Sequence, residues 1–237
     1  MIPRGLHLGG QAALTGVGLD LAYSLIVIAL CFFIFFKTKE FVELTDHKGI
    51  KWFRYAFLYF GLGYMLRFVL ALSHLYGYPM RLINHDLRLF VLIIFSYMSS
   101  MAVLSLLYSS VHKKVDYIKL NPVILLNAIA LLLIVVVFFF GSIGTLFFTQ
   151  VALFVLAIIM SVLNGLKSKR KNKFFNFGFT YLLLFLFWIL NLGALSLPKF
   201  AIGLKLTLYV LSSALFVFIT YKVVVRTHVG KNGKKKG

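Results

Sequence analysis

Cysteine, proline and acidic residues are scarce in this sequence, and each scarcity excludes a kind of structure. The 237 residues include one Cys, four Pro and six Asp and Glu. Because Cys31 is the single cysteine, the chain cannot form an intramolecular disulfide. No spacing of Cys or His is typical of a metal site, so we predict neither a metal nor a cofactor. The prolines fall at the ends of the long apolar runs or outside them, which predicts helices without proline kinks.

Acidic side chains are also missing from the middle of the apolar runs, where proton-driven pumps and transporters place them. The hydroxyls of Ser96, Ser99 and Ser100 have no His, Asp or Glu at a similar depth to act as a base. We therefore predict a protein that is not an enzyme.

Charged residues of both signs make up 13% of the chain, and apolar residues make up 61%. A soluble globular protein carries about 25% charged residues, so lipid is the solvent that this composition predicts. A helix needs roughly 20 apolar residues to cross a bilayer core about 30 Å thick. The period-2 alternation of a barrel strand is absent, so each span is predicted to be helical. The fold class is thus all-α, a polytopic integral membrane protein with a seven-transmembrane-helix bundle over 19–36, 54–76, 87–111, 122–140, 145–166, 174–197 and 201–222.

These runs divide the chain into three parts. We expect an external N-terminal segment over 1–18, a single seven-helix transmembrane domain over 19–222 and a basic cytoplasmic tail over 223–237. The short outer gaps predict that the helices they join are antiparallel neighbours. The longest inner gap, Lys37 to Phe53, suits either a short interfacial helix or a solvated loop.

Lys and Arg are unevenly distributed between the gaps. Nineteen of the 25 lie after the first, third and fifth runs and in the C-terminal tail. Because cytoplasmic loops are enriched in Lys and Arg, we predict a multi-pass protein of the cell (plasma) membrane with its N-terminus outside and its C-terminus in the cytoplasm. The net charge of +19 is then explained by membrane orientation and by contact with anionic lipid headgroups at the cytoplasmic face. No nucleic-acid partner is therefore expected.

Arg67 lies deep within the second apolar run. It follows Tyr55 by twelve residues, which places it about 18 Å from the inner boundary at roughly 1.5 Å per residue. An unpaired Arg near the bilayer centre costs roughly 2.5 to 3.5 kcal/mol, so its side chain should face the bundle and find acceptors. Asp20 and Asp86 are the acidic candidates on that side. Two interpretations stay open: a structural role, as an ion pair or an outward-reaching side chain, and a ligand site.

Other polar residues are placed at a similar depth in the outer halves of the runs, while the inner halves are mostly Leu, Ile, Val and Phe. This pattern predicts an outward-facing polar pocket closed below by apolar side chains. Its cations exceed its carboxylates by one, which favours a small anionic ligand or a lipid headgroup. The predicted ligand-binding residues are Arg67, Tyr64, Asp20, Asp86, Arg88, Gln150, Trp188, Asn191 and Lys205.

The stretch from His47 to Phe68, HKGIKWFRYAFLYFGLGYMLRF, resembles segments of uncharacterised small archaeal seven-helix membrane proteins and of membrane-sensor modules in signalling proteins. The resemblance covers under a tenth of the chain and contains no catalytic motif. It implies a helical membrane protein and transfers no active residue, and the kinase or cyclase domain that usually follows a sensor module has no counterpart here.

Three functions are compatible with these observations. The first is a non-enzymatic protein of sensory or accessory type, whose outer pocket binds an anion and whose basic inner face meets a membrane or cytoplasmic protein partner. The second is a transporter or facilitator for a small solute or lipid. The third is a structural subunit of a membrane complex. A transporter requires the apolar inner half to open, and a receptor does not.

Overall fold

The computed structural model describes residues 5–45, 48–75, 85–115, 121–140, 143–166, 171–197 and 201–234. Within these ranges, side chains are described over 16–43, 48–73, 90–112, 121–139, 144–163, 179–197 and 201–225, apart from a few positions. The described chain is all-α, as the sequence predicts. Its helices are α1 (Gly5–Thr45), α2 (Lys48–Leu75), α3 (His85–Val115), α4 (Pro122–Phe140), α5 (Ile143–Leu166), α6 (Lys171–Ser196) and α7 (Ile202–Lys234).

Four helices are long and apolar enough to cross a membrane over their described residues. These segments are Gly16–Glu43 in α1, Lys48–Ser73 in α2, Phe90–His112 in α3 and Ile202–Val225 in α7. The corresponding apolar segments of the other three helices are shorter: Pro122–Val136, Phe147–Leu163 and Phe179–Asn191. By length and composition the chain is therefore a membrane protein.

The helix bounds agree closely with the predicted spans in the middle of the chain. The first and last helices are longer than their predicted spans. Helix α4 has the predicted bounds, 122–140, whereas α1 extends far beyond 19–36 and α7 continues beyond 222. The 41 residues of α1 are about 60 Å long at roughly 1.5 Å per residue, twice the thickness of the hydrocarbon core. A helix need not end where the lipid tails end, because its hydrogen bonds are internal.

The prediction of a loop or separate interfacial helix over 37–53 is wrong. Helix α1 continues to Thr45 and α2 begins at Lys48. The charged residues at the end of α1 suit a helix, since Lys39 and Glu43 are paired at i,i+4 with Nζ and Oε1 3.9 Å apart. Lys and Glu also have good helix propensity.

Six of the helices pack in a closed ring. In order around the ring, each contacting the next, they are α1, α2, α3, α5, α6 and α7, and α7 returns to α1. Helix α4 packs on the outside, against α3 and α5. It accordingly exposes large apolar side chains, among them Ile124, Leu132 and Phe139, to the surroundings that lipid would fill. The helix pairs joined by the short gaps that are predicted to lie outside, α2 with α3, α4 with α5 and α6 with α7, are in contact as predicted.

The centre of the ring is filled by aromatic side chains. Phe187 stacks on Phe216 with ring centroids 4.5 Å apart, and Phe57 lies 6.1 Å from Phe216. Phe154 of α5 lies 5.6 Å from Trp188. These side chains are buried, so one continuous apolar core joins the ring helices.

Candidate functional site

A partly buried cluster of charged and phenolic side chains joins α1, α2 and α7. The guanidinium of Arg67 donates through Nη2 to Asp20 Oδ1 at 3.1 Å and to the Tyr209 hydroxyl at 2.5 Å. Lys205 Nζ donates to the other carboxylate oxygen, Asp20 Oδ2, at 2.8 Å. The Tyr209 hydroxyl also donates to Asp20 Oδ1. One carboxylate therefore accepts hydrogen bonds from two cations and a phenol.

Aromatic rings surround the Arg67 guanidinium. Its central carbon is 5.7 Å from the ring centroids of Tyr23 and Tyr64 and 5.6 Å from that of Tyr209. Tyr23 and Tyr209 are stacked, with centroids 4.2 Å apart. At these distances each ring attracts the cation through its π face. Ion pairing and ring contacts together offset the cost of placing Arg67 in an apolar environment.

Asn191 of α6 connects this cluster to a second polar group. Its Oδ1 accepts from the hydroxyls of Tyr23 and Tyr64, both at 2.6 Å. Its Nδ2 donates to the Phe187 carbonyl at 2.7 Å and to Ser212 Oγ at 3.0 Å. Asn191 is 5% exposed, and all of these bonds lie inside the ring. Four helices are thereby fixed in register by buried hydrogen bonds.

A small cavity lies beside Arg67, on the side of Tyr64 and Asn191. Its volume is about 50 Å³. The Gln150 amide of α5 lines it and donates to Ser99 Oγ of α3. The lining residues are Tyr59, Phe60, Gly63, Tyr64, Arg67, Phe95, Ser99, Phe147, Gln150, Trp188 and Asn191. The cavity has room for one or two waters or a small ion, but not for a drug-sized molecule, whose pocket measures about 300 Å³ or more.

A layer of phenylalanines lies one turn away from these polar groups on four helices. Tyr64 is preceded by Phe60, Gln150 is followed by Phe154, Asn191 is preceded by Phe187, and Ser212 is followed by Phe216, in each case by four residues. Residues four apart share a helix face. Because α2 and α6 run opposite to α5 and α7, all four phenylalanines are displaced toward the same end of the ring. On that side the polar cluster is closed by the buried rings of Phe60, Phe154, Phe187 and Phe216.

The structure brings together seven of the nine residues predicted for the pocket. Arg67, Asp20 and Lys205 form the charged cluster, and Arg67 also lines the cavity. The cavity wall holds the others, Tyr64, Gln150, Trp188 and Asn191. The side chains of Asp86 and Arg88 lie outside the described residues. That the seven bind a ligand stays a prediction.

The sequence prediction missed Tyr23, Tyr209, Ser99 and Ser212. Tyr23 follows Asp20 by three residues, and Tyr209 follows Lys205 by four, so both share a helix face with a predicted charged residue. This periodicity could have identified them. Ser99 and Ser212 offered no such signal, because small hydroxyl residues are common wherever membrane helices pack closely.

The charged cluster has one more cation than carboxylates among the described side chains, since Asp20 alone faces Arg67 and Lys205. A monovalent anion would neutralise it. The described residues contain no group of three His, Cys, Asp or Glu side chains that could hold a metal ion.

The chain matches no family model and no solved structure. It is similar to an uncharacterized protein of Archaeoglobus fulgidus, with 28% identity over 218 residues that cover 88% of this chain and 92% of that protein. The similarity extends far beyond residues 47–68, on which the archaeal resemblance was based. The resemblance to membrane-sensor modules stays a prediction.

Proposed function

We propose that the chain is a multi-pass protein of the cell membrane in which all seven helices span the bilayer, with the N-terminus outside and the C-terminus in the cytoplasm. The asymmetric distribution of Lys and Arg supports this orientation. The three helices whose described apolar segments are short, α4, α5 and α6, have 19, 24 and 26 residues in full. Each is long enough for a core about 30 Å thick.

Within this topology the protein is a non-enzymatic membrane protein of sensory or accessory type that binds a small anion beside Arg67. The observation that carries the proposal is the combination of two cations with one carboxylate next to a cavity lined by polar side chains. Both described hydrogen bonds of the guanidinium use Nη2, and the group carries further N–H donors that an anion in the cavity could meet.

The size of the cavity restricts the ligand. At about 50 Å³ it suits a halide or a one-carbon carboxylate such as formate. A lipid headgroup, which the sequence left open, is too large for it without rearrangement. The phenylalanine layer below the cluster also argues against a continuous solute pathway, so a transporter is less well supported than a receptor.

A structural role is the second candidate, and a specific observation favours it. Arg67 already has Asp20 and Tyr209 as partners, and such a cluster can hold α1, α2 and α7 in register with no ligand. The two functions predict different effects of anions, and of Arg67 substitutions, on thermal stability.

Anion-dependent thermal unfolding of the purified protein separates them. The protein would be held in a neutral detergent with gluconate as the bulky counter-anion, and chloride or formate would be titrated in. A ligand site predicts a Tm that rises and saturates, because a ligand bound to the native state stabilises it. Arg67→Met should remove the response. Arg54→Met is the matched control, since it removes one cation from the opposite end of α2, where Arg54 lies over the Phe35 ring.

Each result has a defined meaning. A saturating response that survives in Arg54→Met and disappears in Arg67→Met supports the anion site. No response in the parent protein, together with a large loss of stability in Arg67→Met, selects the structural role. Anion flux into proteoliposomes that is lost in Arg67→Met would instead establish a transporter.

The orientation is tested separately, by accessibility of single cysteines in a Cys31→Ala background in intact cells. Cysteine at Leu82 should react with a membrane-impermeant maleimide, and cysteine at Ser168 should react only after the membrane is opened. The reverse pattern would overturn the orientation and the external position of the Arg67 cluster.

A further inference from the structure

A second and larger cavity lies at the opposite end of α2. It is a partly open cleft of about 690 Å³ between α2 and α4, with α3 behind it. This volume is within the range of about 300 to 1,000 Å³ that is usual for ligand sites. The lining residues are Lys48, Lys51, Trp52, Tyr55, Tyr59, Met101, Tyr108, Asn121, Pro122, Val123 and Asn127.

The mouth of the cleft is basic. Lys48 and Lys51 are both exposed and lie on the first turn of α2. The first turn of α4 lies at the same cleft, where Asn121 Oδ1 accepts from the Val123 amide at 3.0 Å. Two ammonium groups and the positive end of a helix dipole favour a negatively charged group at this position.

The inner part of the cleft is apolar and aromatic. From Lys48 to Tyr59 the α2 wall extends about 16 Å at roughly 1.5 Å per residue. Its back is formed by a hydrophobic cluster that includes Trp52 and Met101, both buried. The Asn127 side chain is already bonded on both sides: its Nδ2 donates to the Val123 carbonyl at 2.8 Å, and its Oδ1 accepts from the Tyr97 hydroxyl at 2.5 Å. This wall therefore offers surface for hydrocarbon more than for a polar ligand.

We propose that the cleft binds one acidic phospholipid, with its phosphate at Lys48 and Lys51 and an acyl chain along Trp52, Tyr59 and Met101. Charge complementarity at the mouth selects a negatively charged headgroup, and the length of the apolar wall selects an amphiphile over free phosphate. In the orientation proposed above the lipid comes from the cytoplasmic leaflet. The site shares one lining residue, Tyr59, with the Arg67 cavity, and it does not depend on a ligand there.

Binding to the purified protein in neutral detergent tests this. The probes are short-chain phosphatidylglycerol, phosphatidylcholine with the same chains, and inorganic phosphate, with binding followed by native mass spectrometry and thermal shift. Lys48→Gln with Lys51→Gln should weaken phosphatidylglycerol binding roughly 10- to 30-fold, given what a Lys contributes near an anionic surface. The matched control is Lys37→Gln with Lys39→Gln, which removes two exposed cations from the same end of the molecule, outside the cleft. It should bind as the parent does.

A second variant tests the apolar wall while keeping the charges. Val123 is 52% exposed and lines the cleft, so Val123→Trp should fold and should obstruct the site for a chain. Weaker phosphatidylglycerol binding in this variant supports the proposal. The proposal would be overturned if phosphatidylcholine or inorganic phosphate bound as tightly as phosphatidylglycerol does. It would also be overturned if the two double-lysine variants lost equal affinity for phosphatidylglycerol. A dimer that Val123→Trp dissociates, with no dependence on lipid, would assign the cleft to a second copy of the chain and overturn it as well.

Discussion

The two ends of α2 carry cations in opposite environments. At one end Arg67 is 14% exposed and bonded to Asp20, beside a cavity of about 50 Å³. At the other end Lys48 and Lys51 are exposed, at the mouth of a cleft of about 690 Å³. The same helix thus carries a largely buried charge, around which the neighbouring helices converge. It also carries exposed charges, beside which a cleft between helices remains.

The difference follows from the energetics of burial. A buried cation requires acceptors within the protein, so helices converge around Arg67 and little empty volume is left. An exposed Lys is satisfied by water or lipid headgroups and imposes no convergence. For this reason α2 and α4 can stay apart where α2 carries Lys48 and Lys51. If burial of charge accounts for the contrast, removing the Asp20 carboxylate must cost more stability than removing an exposed charge.

The largest effect is expected when the shared carboxylate is removed. Asp20→Asn leaves Arg67 and Lys205 without a counter-charge in a partly buried site, and breaking such a pair costs about 3 kcal/mol. We expect a lower Tm in detergent and increased proteolysis near α1 and α7. The measurement is thermal unfolding at fixed detergent and salt.

Glu43→Gln is the control for this variant. Glu43 pairs with Lys39 over 3.9 Å, and both side chains are more than half exposed, so the pair contributes about 0 to 1 kcal/mol. If Asp20→Asn and Glu43→Gln lower the Tm equally, burial does not distinguish the two kinds of charge, and the comparison fails.

A moderate effect is expected at the α2–α3 contact that supports the cleft. A Cβ added at Gly49 would lie 2.8 Å from His112 Cε1 and 3.0 Å from the Ser109 carbonyl oxygen. Gly49 also accepts a hydrogen bond from Ser109 Oγ at 2.6 Å. Gly49→Ala should therefore cost about 1 to 2 kcal/mol and separate the helices. Binding of short-chain phosphatidylglycerol should weaken with it.

The matched variant is Gly203→Ala, because a Cβ at Gly203 meets nothing within 4 Å. It should leave the stability unchanged or raise it by several tenths of a kcal/mol. A stable Gly49→Ala protein with normal lipid binding would mean that α2 and α3 can adjust there, and that the cleft does not depend on their close approach.

Much of the helical architecture could be predicted from the sequence, because long apolar runs bounded by charge and proline are strong local signals. The bounds of α4 were predicted to the residue, with Pro122 at its first position. Seven polar residues of the predicted pocket could be selected because a polar side chain inside an apolar run is costly and must face other polar groups. Asp20 and Asp86 were the predicted acidic partners of Arg67, and the structure places Arg67 against Asp20.

The order of the helices around the ring could not be predicted. In lipid, a helix face that meets tails and one that meets another helix are equally apolar, so α4 has no sequence signal that places it outside the ring. Lys48 and Lys51 were interpreted through orientation alone, which gives no information about a cleft. Helix α1 exceeds the predicted span at both ends, because residues 5–18 and the polar turns after 36 are also helical, and the apolar run alone carries no signal for either extension.

The smallest effect on stability, and the sharpest test of the small cavity, is expected from Gly63→Ala. Gly63 lines the cavity, and an added Cβ would be 3.9 Å from Met98 Cβ, an ordinary contact. Alanine is also favoured over glycine within a helix, so the substitution should raise the Tm slightly. This change should be smaller than the fall in Tm expected for Asp20→Asn. A methyl group would nevertheless occupy a large part of about 50 Å³. The response of the Tm to chloride or formate should therefore weaken while the Arg67–Asp20 pair remains intact. An unchanged anion response in a stable Gly63→Ala protein would show that the anion binds elsewhere, and would leave the buried cluster with a purely structural role.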